Sequence, residues 1–339
     1  MAATTQCNRA GIEPGDKPGQ LAETRSDTST SLRERHKRHS VVFGTFAQSE
    51  EQLSHIVILA ESIRSFAGIH AEAPIWVYLP EGLLTGDDET DLRLRELDVE
   101  IHGSSAPEAS LEFYFSRKVF AASAAERRAE ENAEILVWMD DDTVLLREPE
   151  GILLDNGTLL GYRPVTHKNI GSLYSEPADS FWARVYELLD VPKTAMFSME
   201  TPADRVAIRP YFNAGLLVVR PEAGILRKWA ESFPALCKDP ILVGMCQRDI
   251  MKRIFLHQVA LAGAILTTVR QEQMVELPET FNYPLFFHDR YESEKAFESI
   301  DGIVTLRYDV YFRDPEPDWK ERLTGPPEMV QWLQERLGR

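Results

Sequence analysis

Three consecutive carboxylates, Asp140-Asp141-Asp142, follow the apolar run Ile135-Leu136-Val137-Trp138-Met139 and precede Thr143-Val144-Leu145-Leu146. Adjacent carboxylates repel one another, so keeping them ionised takes a cation or a set of donors. Asp140 and Asp142 are two positions apart, and on an extended segment they point the same way. Two convergent hard oxygen ligands suit Mg²⁺ or Mn²⁺, which keep sites open for phosphate oxygens. The plain alternative is an acidic turn closing a strand. Position favours a site, because open parallel sheets bind ligands at the carboxyl ends of their strands.

Other residues could serve the same centre. Arg117 and Lys118 lie on a segment, 113–126, that reads as a helix shortly before the acidic strand. They either grip phosphate and neutralise the carboxylates, or they are solvated or capping charges. Asn213-Ala214-Gly215 opens the apolar run Leu216-Leu217-Val218-Val219. Small residues allow close approach of a ligand, and an amide can both donate to and accept from a sugar hydroxyl. A strand-entry turn would look the same. His257-Gln258 falls inside a predicted helix over 248–262, where a lone histidine is ordinarily a core or surface residue.

The elements that must position these residues alternate. Val41 to Phe46, Ile75 to Leu79 and Val99 to His102 read as strands, and the acidic run and 157–163 as two more. Leu53, Ile56, Leu59, Ala60 and Ile63 recur at helical spacing, and 90–97, 181–189 and 224–233 read as further helices. Residues 190–208 read as a loop over the site, 264–269 and 303–308 as strands, and 326–337 as a terminal helix. Strands alternating with helices make a parallel sheet flanked by helices, and hence an α/β domain. Residues 1–39 are Thr-, Ser-, Gly-, Pro- and charge-rich and read as a disordered tail, leaving 40–339 as a single domain.

Composition narrows the partners. The chain has 339 residues, 43% of them hydrophobic, enough for one large core. A net charge of −17 argues against nucleic acid or an anionic membrane. It also means that an anionic substrate needs a local cation. No apolar run is long enough to span a membrane. Cys7, Cys237 and Cys246 form no paired motif, which fits a reducing, cytoplasmic setting.

Together these segments resemble the GT-A-fold glycosyltransferases, and among them glycosyltransferase family 8, the glycogenin and galactosyltransferase group. The resemblance spans about residues 40–320. Its specific parts are the Asp140-x-Asp142 strand and Phe212-Asn213-Ala214-Gly215. The early strand Val41 to Phe46 and Leu277-Pro278-Glu279-Thr280-Phe281-Asn282 stand in the matching order. The resemblance implies a Rossmann-like, mixed and mostly parallel sheet, and transfer of a sugar from a nucleotide-diphosphate sugar to a hydroxyl acceptor, metal-assisted and retaining. Asp140, Asp142, Asn213 and Gln258 take the catalytic positions. Gly44, Thr45, Phe46, Gln48, Arg117, Lys118, Asp141, Ala214, Gly215 and Arg307 take the nucleotide-sugar contacts.

Two places depart from the family pattern. Its third metal ligand is a histidine on the last strand, where this chain reads Thr305-Leu306-Arg307-Tyr308, with Arg313, Asp318 and Trp319 beyond. His288 is one substitute, making the metal set Asp140, Asp142 and His288. Arg307 on phosphate is the other. The family's Asp-Gln pair reads His257-Gln258. Three rival readings compete. A haloacid-dehalogenase phosphatase wants Asp-x-Asp-x-Thr, and here Thr143 follows Asp142 directly. A sugar nucleotidyltransferase needs a Gly-rich basic loop, which Gly44 to Gln48 is not. A non-catalytic sugar-binding domain fits the missing histidine.

Overall fold

The computed structural model describes residues 38–80, 82–83, 89–290, 297–308 and 324–337. Cys7, the tail up to Lys37, Arg313, Asp318 and Trp319 lie outside the described residues.

β1 (His39–Phe46) opens the domain, with Arg38 donating to Ala133 O at 2.8 Å. α1 (Glu50–Phe66) follows. Ser49 caps it by accepting from Gln52 N, and Glu50 and Glu51 suit the positive end of its dipole. β2 (Ile75–Leu79), α2 (Glu89–Glu96), β3 (Val99–Gly103), α3 (Ser116–Asn132), β4 (Ala133–Met139) and β5 (Thr143–Leu145) come next. Then follow β6 (Leu160–Pro164), α4 (Ser180–Leu188), β7 (Met199–Glu200), β8 (Ala207–Ile208) and β9 (Phe212–Val219). α5 (Ile225–Lys238), α6 (Pro240–Arg248), α7 (Ile250–Thr268) and β10 (Met274–Glu276) precede β11 (Tyr283–Pro284), β12 (Thr305–Arg307) and α8 (Pro327–Leu337).

The main sheet has seven strands in the order β10-β6-β9-β4-β1-β2-β3. Only β9 runs against its neighbours, β4 and β6; the other pairings are parallel. This is the mixed, mostly parallel sheet with flanking helices that the sequence implied. Alternate residues of β4 face opposite sides. Ile135, Val137 and Met139 pack with Leu53, Ile56 and Leu59 of α1, while Leu136 and Trp138 pack with Val119 and Ala122 of α3. With both faces covered, the strand is apolar from Ile135 to Met139. A smaller sheet, β11-β12-β5, packs with Leu333 of α8.

One expected strand is wrong. Residues 264–269 are not extended: Ala264 to Thr268 are the last turns of α7. Val259 to Leu266 are all buried, so this stretch of the helix is apolar all round and shows no helical period. By length and composition α7 could cross a membrane, yet it packs against α5 and β9 in the core.

Candidate active site

Topology brings the acidic triplet and the Asn-Ala-Gly segment together. Because β9 is reversed, its first residues meet the last of β4: Met139 pairs with Leu216, and Asp140 N donates to Gly215 O at 2.9 Å. After Asp142 the chain leaves the main sheet and enters the small one as β5. There Thr143 pairs with Arg307, and Tyr308 N donates to Asp142 O at 3.1 Å. One acidic turn thus touches β9 on one side and β12 on the other.

The three carboxylates then part. Asp141 turns to α1, where Gln52 Nε2 donates to Oδ1 at 3.3 Å and His55 Nδ1 lies 3.3 Å from Oδ2. It anchors the turn. Asp140 and Asp142 share cations. Arg307 forks onto Asp142, Nε to Oδ1 at 3.1 Å and Nη2 to Oδ2 at 2.7 Å, and Nη2 also lies 3.3 Å from Asp140 Oδ2. Lys118 Nζ pairs with Asp140 Oδ1. Lys118 sits in the first turn of α3, which begins there because Phe115 takes a left-handed φ of 60°. Asp142 has no exposed side chain, and those of Lys118, Asp140 and Arg307 are 7, 11 and 14% exposed.

Burial and neighbouring charge set the protonation of these groups. Burial acts to raise Asp140, but Lys118 and Arg307 outweigh it and hold the carboxyl below its ordinary range. Burial pushes Asp142 up to about 7 against the pull of Arg307, with the Asp140 charge adding to the rise. His257 is pushed down to about 3 by burial and by the Lys118 charge, so it is a neutral imidazole. Its Nδ1 donates to Ile254 O at 2.9 Å, and Phe115 packs on its ring at 4.5 Å.

On the β9 side, Asn213 Oδ1 accepts from Gly215 N at 2.7 Å and Gln258 Oε1 from Ala214 N at 3.2 Å. These bonds fix both amides against β9. Gly215 is a close-approach residue: a Cβ there would lie 2.9 Å from Asp140 Oδ2 and 3.0 Å from both Arg307 Nη1 and Asn213 Oδ1.

β1 runs parallel beside β4 with Gly44 opposite Trp138, so Gly44 to Phe46 end at the same edge of the sheet as the acidic turn. Gly44, Thr45 and Phe46 are buried, and only Gln48 reaches the surface. A Cβ on Gly44 would meet Trp138 Cε3 at 3.1 Å, so that glycine serves sheet packing. Arg117 is half-buried and is in no ion pair among the described residues. His288 Nδ1 lies 2.7 Å from Tyr283 Oη, and no group of three metal-binding side chains gathers among the described residues.

The donor set does not fit a resident divalent ion. Such an ion needs carboxylate oxygens at about 2.0–2.2 Å and several ligands. Here the four oxygens of Asp140 and Asp142 are engaged by Lys118 and Arg307, and among the described residues no third acidic or imidazole ligand joins them.

Sequence reading missed Phe115, Gln52, His55 and Tyr308. Tyr308 is buried with its hydroxyl unpartnered among the described residues, and the nearby Asp142 and Asp141 charges help burial raise it. The Ser49-x-x-Gln52 cap was a legible signal for Gln52, but not for its bond to Asp141.

A family model described as the Rhodobacterales glycosyltransferase domain matches residues 45–268. No curated protein matches the chain. Among solved structures, the galactosyltransferase LgtC with donor and acceptor sugar analogues aligns at 15% identity and a TM-score of 0.44, over 86% of this chain and 100% of that one. Mouse xyloside xylosyltransferase 1 aligns at 13% identity and a TM-score of 0.42, over 80% of this chain and 97% of that one. Likenesses this distant say nothing of this chain's donor or acceptor.

Proposed function

The chain belongs to the Rhodobacterales glycosyltransferase domain family and is a glycosyltransferase, and from that premise we propose that it takes its sugar from a nucleoside diphosphate sugar and passes it to a hydroxyl acceptor. One observation carries this reading. Two cations, Lys118 and Arg307, converge on Asp140 and Asp142 at the carboxyl end of β4, beside the Asn213–Gly215 segment. That edge is where an open α/β sheet takes a ligand. Positive groups there answer an anionic diphosphate in an otherwise acidic protein. Asn213 Nδ2 has no partner among the described residues and would donate to a sugar hydroxyl. Gln258 holds Ala214 in place, and Gly215 leaves room for Asp140 and Arg307 against β9. Arg117 and Gln48, on the flanking helix and loop, are the further donor contacts we propose. Retention at the anomeric carbon, implied by the family resemblance, is read from the anomeric proton of the product.

Melting curves with a panel of nucleoside diphosphates test the donor class. A diphosphate at 100 times its Kd stabilises the fold by about 2.7 kcal/mol, and the matching nucleoside should not. A panel in which no diphosphate raises the midpoint would overturn the donor reading.

A further inference from the structure

We propose that this glycosyltransferase holds its donor without a divalent ion, the Arg307 guanidinium bridging Asp140 and Asp142 where a metal would bridge them and, with Lys118, meeting the diphosphate. The inference rests on the donor class proposed above. Three observations carry it.

The first is the fork. A planar guanidinium matches a carboxylate with two parallel donors, and here its Nη2 reaches the second carboxylate as well. The second is how firmly the fork is seated. Arg307 lies in β12, in register with Thr143, so its backbone is fixed one residue beyond Asp142. Gly215 lacks the Cβ that would crowd Arg307 Nη1 and Asp140 Oδ2. The pocket is therefore built around the guanidinium. The third is the donor set: an ion would have to displace both cations and would find no third ligand among the described residues.

Charge follows the same logic. Unpaired, Asp140 and Asp142 would repel a diphosphate. Paired with Lys118 and Arg307 they are neutralised, and the cations stand beside the place where charge develops. In the transfer, the bond from the anomeric carbon to the diphosphate oxygen breaks, and its electron pair goes to that oxygen. The acceptor oxygen bonds to the anomeric carbon, and its proton passes to the released diphosphate. No other reactant is consumed.

The test uses full-length protein stripped with EDTA and titrated by calorimetry with UDP, GDP, ADP and CDP, in EDTA and in MnCl₂. The tightest diphosphate should bind equally in both, within about twofold. Mn²⁺ alone should give no binding heat, and its free-ion EPR signal should stay unquenched. Arg307→His, which supplies an imidazole near both carboxylates, should gain Mn²⁺ binding and Mn²⁺-dependent diphosphate affinity. Arg307→Lys keeps the charge and loses the fork; it should bind diphosphate more weakly in EDTA and gain no Mn²⁺ dependence. A wild-type affinity that rises tenfold or more with Mn²⁺ overturns the inference and leaves the donor class standing. Absence of diphosphate binding in both conditions overturns both.

Discussion

Replacing Arg307 by Met tests the ion pair at the centre of the site. The substitution keeps a long side chain on β12 and removes every donor. It strands Asp142, which has no exposed side-chain surface. Breaking a buried pair by removing one partner costs about 3–5 kcal/mol. For a domain near 300 residues, at about 2.1 cal/mol/K per residue, that lowers Tm by roughly 5–8 °C. The loss depends on pH. In the wild type Asp142 is raised from 3.8 to about 7, so its contribution to stability is complete below 3.8 and falls as pH rises toward 7. Without Arg307, which lowers that pKa, the decline continues above 7. The gap between variant and wild type therefore opens on the alkaline side, and is wider at pH 8.5 than at pH 5.5. Adding Asp142→Asn to Arg307→Met removes the stranded charge and should recover stability, with a coupling of about 0.5–3 kcal/mol. Calorimetric melts at both pH values measure this. An equal loss at both, or a double variant no better than the single, would refute the buried ion pair.

Gly215→Ala should cost about 1–3 kcal/mol by overpacking and weaken donor binding, because its methyl group meets Asp140 Oδ2 and Arg307 Nη1; a variant with unaltered melting and KM counts against that close approach. Glu126 is buried beneath the start of α5, accepting from Leu226 N at 3.1 Å and Arg227 N at 2.8 Å, and burial raises it from 4.5 to about 7. Its contribution is thus complete below 4.5 and lost toward 7, so Glu126→Gln should flatten the stability profile across that window, as urea titrations would show. Lys118→Gln keeps a polar side chain and removes the charge on Asp140, so diphosphate affinity should fall by about 1.5–3 kcal/mol in isothermal titration, and unchanged affinity would remove Lys118 from the site.

Much of the layout was legible because buried strands and capped helices leave local signals. The apolar run to Met139 gave β4, and the reversal of composition at Asp140 marked the sheet edge. Where local signal fails, the reading failed with it. The stretch of α7 from Val259 to Leu266 is buried on every side and carries no period to tell helix from strand. α6 was missed although Asp239-Pro240, an N-cap followed by proline in the first turn, announces it. At the site, the Asp140 and Asp142 pair and the Asn213 segment could be read, since chemistry and position coincide there. The opposite course of Asp141 could not, because it depends on Gln52 and His55 of α1. The grip of Arg307 on both carboxylates likewise depends on the register of β12 against β5, set by partners far apart in sequence.

Donor turnover tests the central claim most directly. Full-length protein is incubated with UDP-, GDP-, ADP- and CDP-sugars and a mixture of hydroxyl-bearing acceptors, and the products are weighed by mass spectrometry beside those of Asp140→Asn. The claim predicts release of one nucleoside diphosphate together with a hexosyl or pentosyl mass gain on an acceptor or on water, with the variant strongly impaired. Release from none of the donors, or equal release by wild type and Asp140→Asn, would contradict it.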